Sequence, residues 1–250
     1  MLVKTPLVLD GGHDTPGARG LFVQDGCGAL IEMMAGLVDF VVLDAEHGDV
    51  EPSLTSLLRA GDAVDMPCLV RIPRHRRDLI GRVLDLGAAG IVAPGIQGVE
   101  EAQEIVQAAR YAPDGARGVA FVTRAAGHGH FAGPQFMEEL NRKTVVLAQV
   151  ETSEALAILP QLVAIPGLSG LFVGPTDLSV ALGQGSLMTD VVSDAIMGVK
   201  KVCDGARMPW GIFAATHRDR QRWDNAGANF LVGAVASLLR PAISHWAAND

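Results

Sequence analysis

Short apolar runs recur along this chain, and a segment of helical spacing follows most of them. The runs are GLFVQ (20–24), DFVVLDAE (39–46), PCLVRI (67–72), GIVAP (90–94), TVVLAQVE (144–151), LSGLFVG (168–174), PWGIFAA (209–215) and NFLVGA (229–234). Several are apolar at every position rather than alternately, the mark of parallel strands covered on both faces. Between them lie EPSLTSLLRAG, RRDLIGRVLDLG, VEEAQEIVQAAR, SEALAILPQLVAI and RQRWDNAG. Their apolar residues recur at intervals of three and four, which lines up one apolar stripe on a helix. Gly61, Gly87 and Gly227 stand where helices are expected to end. Strands alternating with helices in this way predict an α/β fold, a single closed (β/α)8 TIM barrel, with an open doubly wound sheet as the competing arrangement.

The 250 residues suit one barrel, although length alone would also hold two smaller domains. No Ser/Pro-rich linker or short-period repeat divides the chain, so residues 1–250 read as one domain. One stretch breaks the alternation. YAPDGARGVAFVTRAAGHGHFAG (111–133) is long and Gly-rich, and GVAFV within it has the composition of a further strand. A loop of that length in a compact domain is often functional. It is expected to cover the barrel mouth or to touch a neighbouring subunit.

Distinctive polar residues gather at the carboxyl ends of the predicted strands. The second strand ends in LDAEHGD, with Asp44, Glu46 and His47; the third ends at Arg71; the fifth runs into Gln149 and Glu151; the sixth ends in GPTD, with Asp177. In a β/α barrel these ends converge on one mouth, where active sites lie. Glu151 and Asp177 are candidate metal ligands, because two neighbouring carboxylates repel unless a cation lies between them. Oxygen donors suit magnesium or manganese. The plainer reading makes Glu151 a solvated carboxylate and Asp177 the N-cap of the LSVALG helix. His47 is a candidate acid–base group, with Asp44 three residues earlier to fix its tautomer, or else a surface histidine in a turn. Arg71 is a fixed cation suited to an oxyanion, or else one half of a structural ion pair with Asp85 or Glu46.

Absences narrow the chemistry. The four lysines are Lys4, Lys143, Lys200 and Lys201. None falls at a strand's carboxyl end, which argues against a Schiff-base mechanism. There is no Walker loop, no strand–GxGxxG–helix unit and no GxSxG. Lys plus Arg number 20 against 28 Asp plus Glu, a formal charge of −8, which speaks against a nucleic-acid partner. No apolar run is long enough for a membrane span, and the opening MLVKTPLVLDGGHD lacks a signal-peptide core. Cys27, Cys68 and Cys203 are scattered and odd in number, so a reducing cytoplasm is expected. Hydrophobic residues make up 49% and charged residues 19%, which points to apolar surface covered by another subunit.

Taken in order, DFVVLDAEHG, LVRIP, LDLGAAGIVAPGI, AARYAPDGARGV, RAAGHG, VLAQVET, GLSGLFVGPTDLSVALG and GANFLVGA resemble the HpcH/HpaI aldolase family of metal-dependent pyruvate aldolases. The resemblance covers nearly all the chain beyond residue 20, and LDAEHG, QVET and GPTDLS together are specific. It implies a class II aldolase that forms or cleaves a carbon–carbon bond through the enolate of pyruvate or a related 2-oxo acid. The acceptor would be an aldehyde or another carbonyl. By the same resemblance Glu151 and Asp177 hold a divalent ion (magnesium or manganese, with cobalt also in range). Arg71 contacts the keto or enolate oxygen, and His47 with Asp44 forms the acid–base dyad. Gln149, Gly174 and Thr176 bind substrate, the backbone N–H groups of Thr176 and Asp177 holding its carboxylate. Family members are homo-oligomers, typically hexamers, with exchanged C-terminal elements.

This chain departs from the family's pattern in three places. VGAVAS stands where VGSD is common, QGSLMTDVVSDA follows ALG without a His-Pro step, and the third-strand loop RIPRHRRD is unusually basic. Arg74, Arg76 and Arg77 in that loop suit an anionic acceptor, a partner carboxylate, or plain solvent. These changes leave room for an oxaloacetate-using condensing or decarboxylating enzyme, citrate-synthase-like or a natural-product synthase. A catalytically silent 2-oxo-acid binder is the reading from a different class.

Overall fold

In the computed structural model, residues 7–9, 17–186 and 189–248 are described. Lys4 and much of the opening segment lie outside them. Eight parallel strands close into a barrel: β1 (Ala18–Val23), β2 (Phe40–Asp44), β3 (Cys68–Arg71), β4 (Gly90–Ala93), β5 (Val145–Val150), β6 (Gly170–Val173), β7 (Trp210–Phe213) and β8 (Phe230–Ala234). β1 pairs with both β2 and β8, so no edge strand remains. All eight apolar runs are strands, and the open-sheet alternative falls. The connecting helices are α1 (Gly28–Met33), α2 (Leu54–Ala63), α3 (Asp78–Asp85), α4 (Val99–Ala109), α5 (Pro134–Lys143), α6 (Ser153–Ala157), α7 (Leu159–Leu162), α8 (Pro175–Ala181), α9 (Asp190–Ala206), α10 (His217–Asn225) and α11 (Val235–Ala247). Among the described residues no helix is long and apolar enough to cross a membrane.

The core has two layers, and the strand pleat sorts residues between them. Phe22, Phe40, Val42, Leu69, Val92, Val145, Leu147, Phe172, Phe230 and Val232 fill the barrel. Their strand neighbours Val23, Val41, Leu43, Val70, Ile91, Val146, Ala148, Leu171 and Val173 pack outward against the helices. That explains why the strands are apolar throughout: successive residues face opposite sides, and both sides are buried.

Four local expectations need correction. Gly61 does not end α2; it lies inside it, where a Cβ would come within 2.4 Å of the Cys68 sulfur, so glycine lets the helix press on β3. SEALAILPQLVAI is not one helix but α6 and α7, since Pro160 lacks the N–H that would continue the first. GVAFV is not a strand, which leaves the barrel at eight. Finally, residues 111–133 do not cover this chain's own mouth. Arg117 pairs with Asp85 at 2.7 Å, Arg124 with Asp62, and Ala125 N–H donates to the Asp85 carbonyl at 3.0 Å. These partners sit at the carboxyl ends of α2 and α3. Because the helices run back against the strands, that is the barrel end opposite the strand carboxyl termini.

Candidate active site

The same pleat builds the mouth. If Phe22 faces inward, so does the direction of Gln24 two residues on. Phe40 and Val42 lead to Asp44, Leu69 to Arg71, Val145 and Leu147 to Gln149 and Glu151, and Phe172 to Gly174. The inward rows of β1, β2, β3 and β5 thus change from apolar to polar at the mouth. Asp44, Arg71, Gln149 and Glu151 are all buried there.

Asp44 is fully buried and held from several directions. Arg71 grips it through both oxygens, Nε to Oδ1 at 2.8 Å and Nη2 to Oδ2 at 2.7 Å. Gln24 Nε2 and the backbone N–H groups of Glu46 and His47 each add a bond at 3.2 Å. Burial alone would raise the Asp44 carboxyl, but these donors and the guanidinium charge hold it below its ordinary value. The Arg71 guanidinium also lies over the Phe22 ring, 4.6 Å from its centre. Two of its five N–H donors are thereby committed to Asp44, and the rest are free in number to meet a ligand. Neither expected partner of Arg71 serves as predicted alone: Asp85 pairs with Arg117 instead, while Glu46 approaches Arg71 Nε at 3.5 Å as a second carboxylate behind Asp44.

The pairing expected between Asp44 and the His47 ring is absent, since Asp44 reaches only the His47 backbone. The imidazole is 62% exposed at the rim, with Nε2 3.7 Å from Glu46 Oε2. Glu46 therefore stands between the deep Arg71–Asp44 pair and the rim histidine. Burial pushes its carboxyl above the ordinary range, with Asp44 and Asp177 adding to that and Arg71 and His47 opposing it.

Glu151 is the most perturbed carboxyl at the mouth. Its Oε1 accepts the Gly95 N–H at 2.6 Å, and Gln149 Nε2 donates to Oε2. Burial, joined by the charges of Asp177 and Glu46, pushes it up to about 7 against the Gly95 bond and Arg71. Asp177 is exposed in the first turn of α8, after Pro175. It is not the N-cap: that position is Gly174, and no side chain caps this helix. A Cβ on Gly174 would come within 2.8 Å of Glu151 Oε2 and of Gln149 Nε2, so glycine keeps the space beside the carboxylate clear. Gln149 Oε1 is buried and has no partner among the described residues. Among the described residues no trio of His, Cys, Asp and Glu forms a complete protein cage for a metal. A Glu151 carboxyl raised by burial and by the nearby Asp177 charge, an orphaned amide oxygen and a cleared space fit a hard divalent ion that shares its coordination with substrate and water.

Sequence reasoning missed Gln24, Glu46 as a bridge, and Gly95. Gln24 was within reach, since it follows the inward Phe22 by two. Gly95 contributes only its backbone N–H, which no side-chain pattern reveals.

The pattern of the HpcH/HpaI aldolase/citrate lyase family matches residues 19–238. A 5-keto-4-deoxy-D-glucarate aldolase from Escherichia coli O6:H1 (strain CFT073) is 32% identical over 208 residues, covering 82% of this chain and 80% of that one. A family protein from Burkholderia cenocepacia J2315 superposes with a TM-score of 0.86 at 30% identity, over 95% of each chain. The citrate synthase SbnG superposes with a TM-score of 0.81 at 26% identity, over 92% of this chain and 91% of that one. The chain belongs to the HpcH/HpaI aldolase/citrate lyase family and is a carbon–carbon lyase of the class II aldolase type.

Proposed function

We propose that this enzyme forms or cleaves a carbon–carbon bond through the enolate of pyruvate or a related 2-oxo acid, with an aldehyde or other carbonyl compound as acceptor. The observation that carries this reading is the convergence of Glu151 and Asp177 with Arg71 at one barrel mouth. Glu151 and Asp177 would hold magnesium or manganese, cobalt also being compatible with the oxygen donors. Such an ion, when bound, supplies a Lewis acid that polarises the substrate carbonyl. Arg71 faces the oxygen on which negative charge develops, and Asp44 holds its guanidinium in place. Gly174 leaves room for the substrate, Gln149 lines it, and the backbone N–H groups of Thr176 and Asp177 offer donors to its carboxylate. His47, exposed at the rim, gives and takes the proton of the acceptor's hydroxyl.

The test is proton exchange at pyruvate C3 in deuterated water, with and without a chelator, followed by a screen of aldehydes. Metal-dependent exchange and carbon–carbon bond formation are expected. A protein that binds pyruvate and metal yet exchanges no proton would be a silent binder, and the reading would fall. The likeness to SbnG favours one second reading, condensation or decarboxylation of oxaloacetate. Product analysis with oxaloacetate, with and without an acyl-CoA, separates the two.

We further infer a homo-oligomer, a hexamer by the family's habit, in the cytoplasm, with no nucleic-acid or membrane partner. α11 supports this. None of its residues is buried, and Leu238, Leu239, Ile243 and Trp246 are 54, 46, 61 and 87% exposed. A helix with such a face needs a cover, and a second copy of this chain is the one proposed. Val119 and Val122, 53 and 78% exposed in the 111–133 segment, offer a further contact. The double substitution Ile243→Glu with Trp246→Glu is expected to lower the assembly's mass in analytical ultracentrifugation. An unchanged mass would show that α11 does not carry the interface.

A further inference from the structure

The basic loop between β3 and α3 carries Arg74, Arg76 and Arg77, and the structure treats them differently. Arg76 is satisfied by Asp78, at 3.0 Å from Nε, and by Glu51 at 3.6 Å. Arg77 pairs with Glu104 and lies 3.5 Å from Glu101. Arg74 has only a 3.9 Å approach to Glu101, whose other oxygen already accepts the Gln97 N–H at 2.9 Å. The Nε of Arg74 is buried and has no hydrogen-bond partner among the described residues. A buried donor without a partner costs free energy, so such a group signals a missing acceptor.

Its location says what the acceptor is. The Arg74 stem lies against Gly95: a Cβ there would fall 2.7 Å from Arg74 Cδ and 3.0 Å from Nε. Gly95, whose φ is +63°, is the residue whose N–H holds Glu151. Arg74 is thus one glycine removed from the proposed metal ligand, yet its side chain remains 31% exposed. Resting on the aldolase reading above, we propose that Arg74 binds a terminal oxyanion, carboxylate or phosphate, on the acceptor half of the substrate, and so sets the enzyme's preference for charged acceptors. Its fork of donors meets a planar or tetrahedral oxyanion through two parallel hydrogen bonds. Arg71 cannot take this role, because Asp44 fixes it in the depth of the mouth.

The experiment measures kcat/KM for pyruvate addition to matched aldehydes, succinic semialdehyde against butanal and glyceraldehyde 3-phosphate against glyceraldehyde. The wild-type enzyme should favour the charged member of at least one pair, and which pair shows it identifies the oxyanion. Arg74→Met keeps the stem that packs on Gly95 and removes the charge. It should cut that charged-to-neutral ratio by about 10- to 100-fold, the worth of a charge-assisted pair, with Arg74→Lys recovering part of it. Arg76→Met, on the same loop but paired with Asp78, should leave the ratio as it is. A wild-type ratio near one for both pairs, or an equal loss for charged and neutral aldehydes in Arg74→Met, overturns the proposal. Absence of pyruvate C3 exchange in the wild type would instead sink the aldolase reading itself, so the two failures are distinguishable.

Discussion

Glu151→Gln and Asp177→Asn should each lower turnover by at least about a thousandfold, because each removes a charge that the proposed ion needs and leaves nothing to replace it. Glu151→Gln should also alter the pH dependence of the protein. Burial pushes the folded carboxyl up to about 7, from its ordinary 4.5. Between those values the metal-free folded protein keeps a proton that the unfolded chain has released. Its stability therefore falls as pH rises through that window and is level above it. Metal binding runs the other way: it needs the carboxylate, so affinity rises with pH up to about 7, and below that pH ion binding displaces a proton. Calorimetry in buffers of different ionisation enthalpy measures that proton, and thermal melts of the metal-free protein measure the slope. The glutamine variant should lose both signals while melting no lower than the metal-free parent, since it replaces a disfavoured buried acid by a neutral amide. Full activity of both variants in chelator-treated buffer would remove the metal assignment.

The barrel was legible because burial on two faces leaves a simple trace, an unbroken apolar run between amphipathic segments. The mouth was legible for a related reason. A polar residue that ends such a run, as Asp44, Arg71 and Glu151 do, can only sit where the barrel opens. What sequence spacing could not settle was direction within the mouth. Asp44 and His47 are three apart and invite a side-chain pair, but Asp44 continues the inward row of Phe40 and Val42 while His47 lies beyond the strand. Pro175 takes the first helical position of α8 and moves Asp177 to the third, which no count of residue types would separate from an N-cap.

The basic loop shows a second limit. Arg74, Arg76 and Arg77 look alike in sequence. Arg76 is taken by Asp78 two residues on and by Glu51, while Arg74 and Arg77 are told apart by Glu101 and Glu104 on α4, which come to the loop only when α3 and α4 pack side by side. The segment 111–133 failed for the same reason: Asp62 and Asp85, which draw Arg124 and Arg117 to the far end of the barrel, are distant in sequence.

Arg71→Ala and His47→Ala should then part company in both chemistry and stability. Arg71 acts on the enolate itself, so its loss should suppress carbon–carbon cleavage and pyruvate C3 exchange together, by about two to three orders of magnitude. It also strips the guanidinium from a fully buried Asp44. Breaking a buried pair by removing one partner commonly costs about 3–5 kcal/mol, and Asp44 should then titrate at higher pH than in the wild type. Arg71→Lys, which keeps a cation beside Asp44 but not the two-pronged grip, should recover stability more fully than activity. His47 is exposed and bonds Asp44 only through its backbone, so His47→Ala should melt close to the wild type. Its loss should damage aldol cleavage, which needs a proton taken from the acceptor's hydroxyl, more than oxaloacetate decarboxylation, which needs none. The informative quantity is the ratio of cleavage to decarboxylation in each variant at saturating metal. Should His47→Ala depress both reactions equally while Arg71→Ala spares C3 exchange, the deep cation and the rim imidazole do not divide the work in this way.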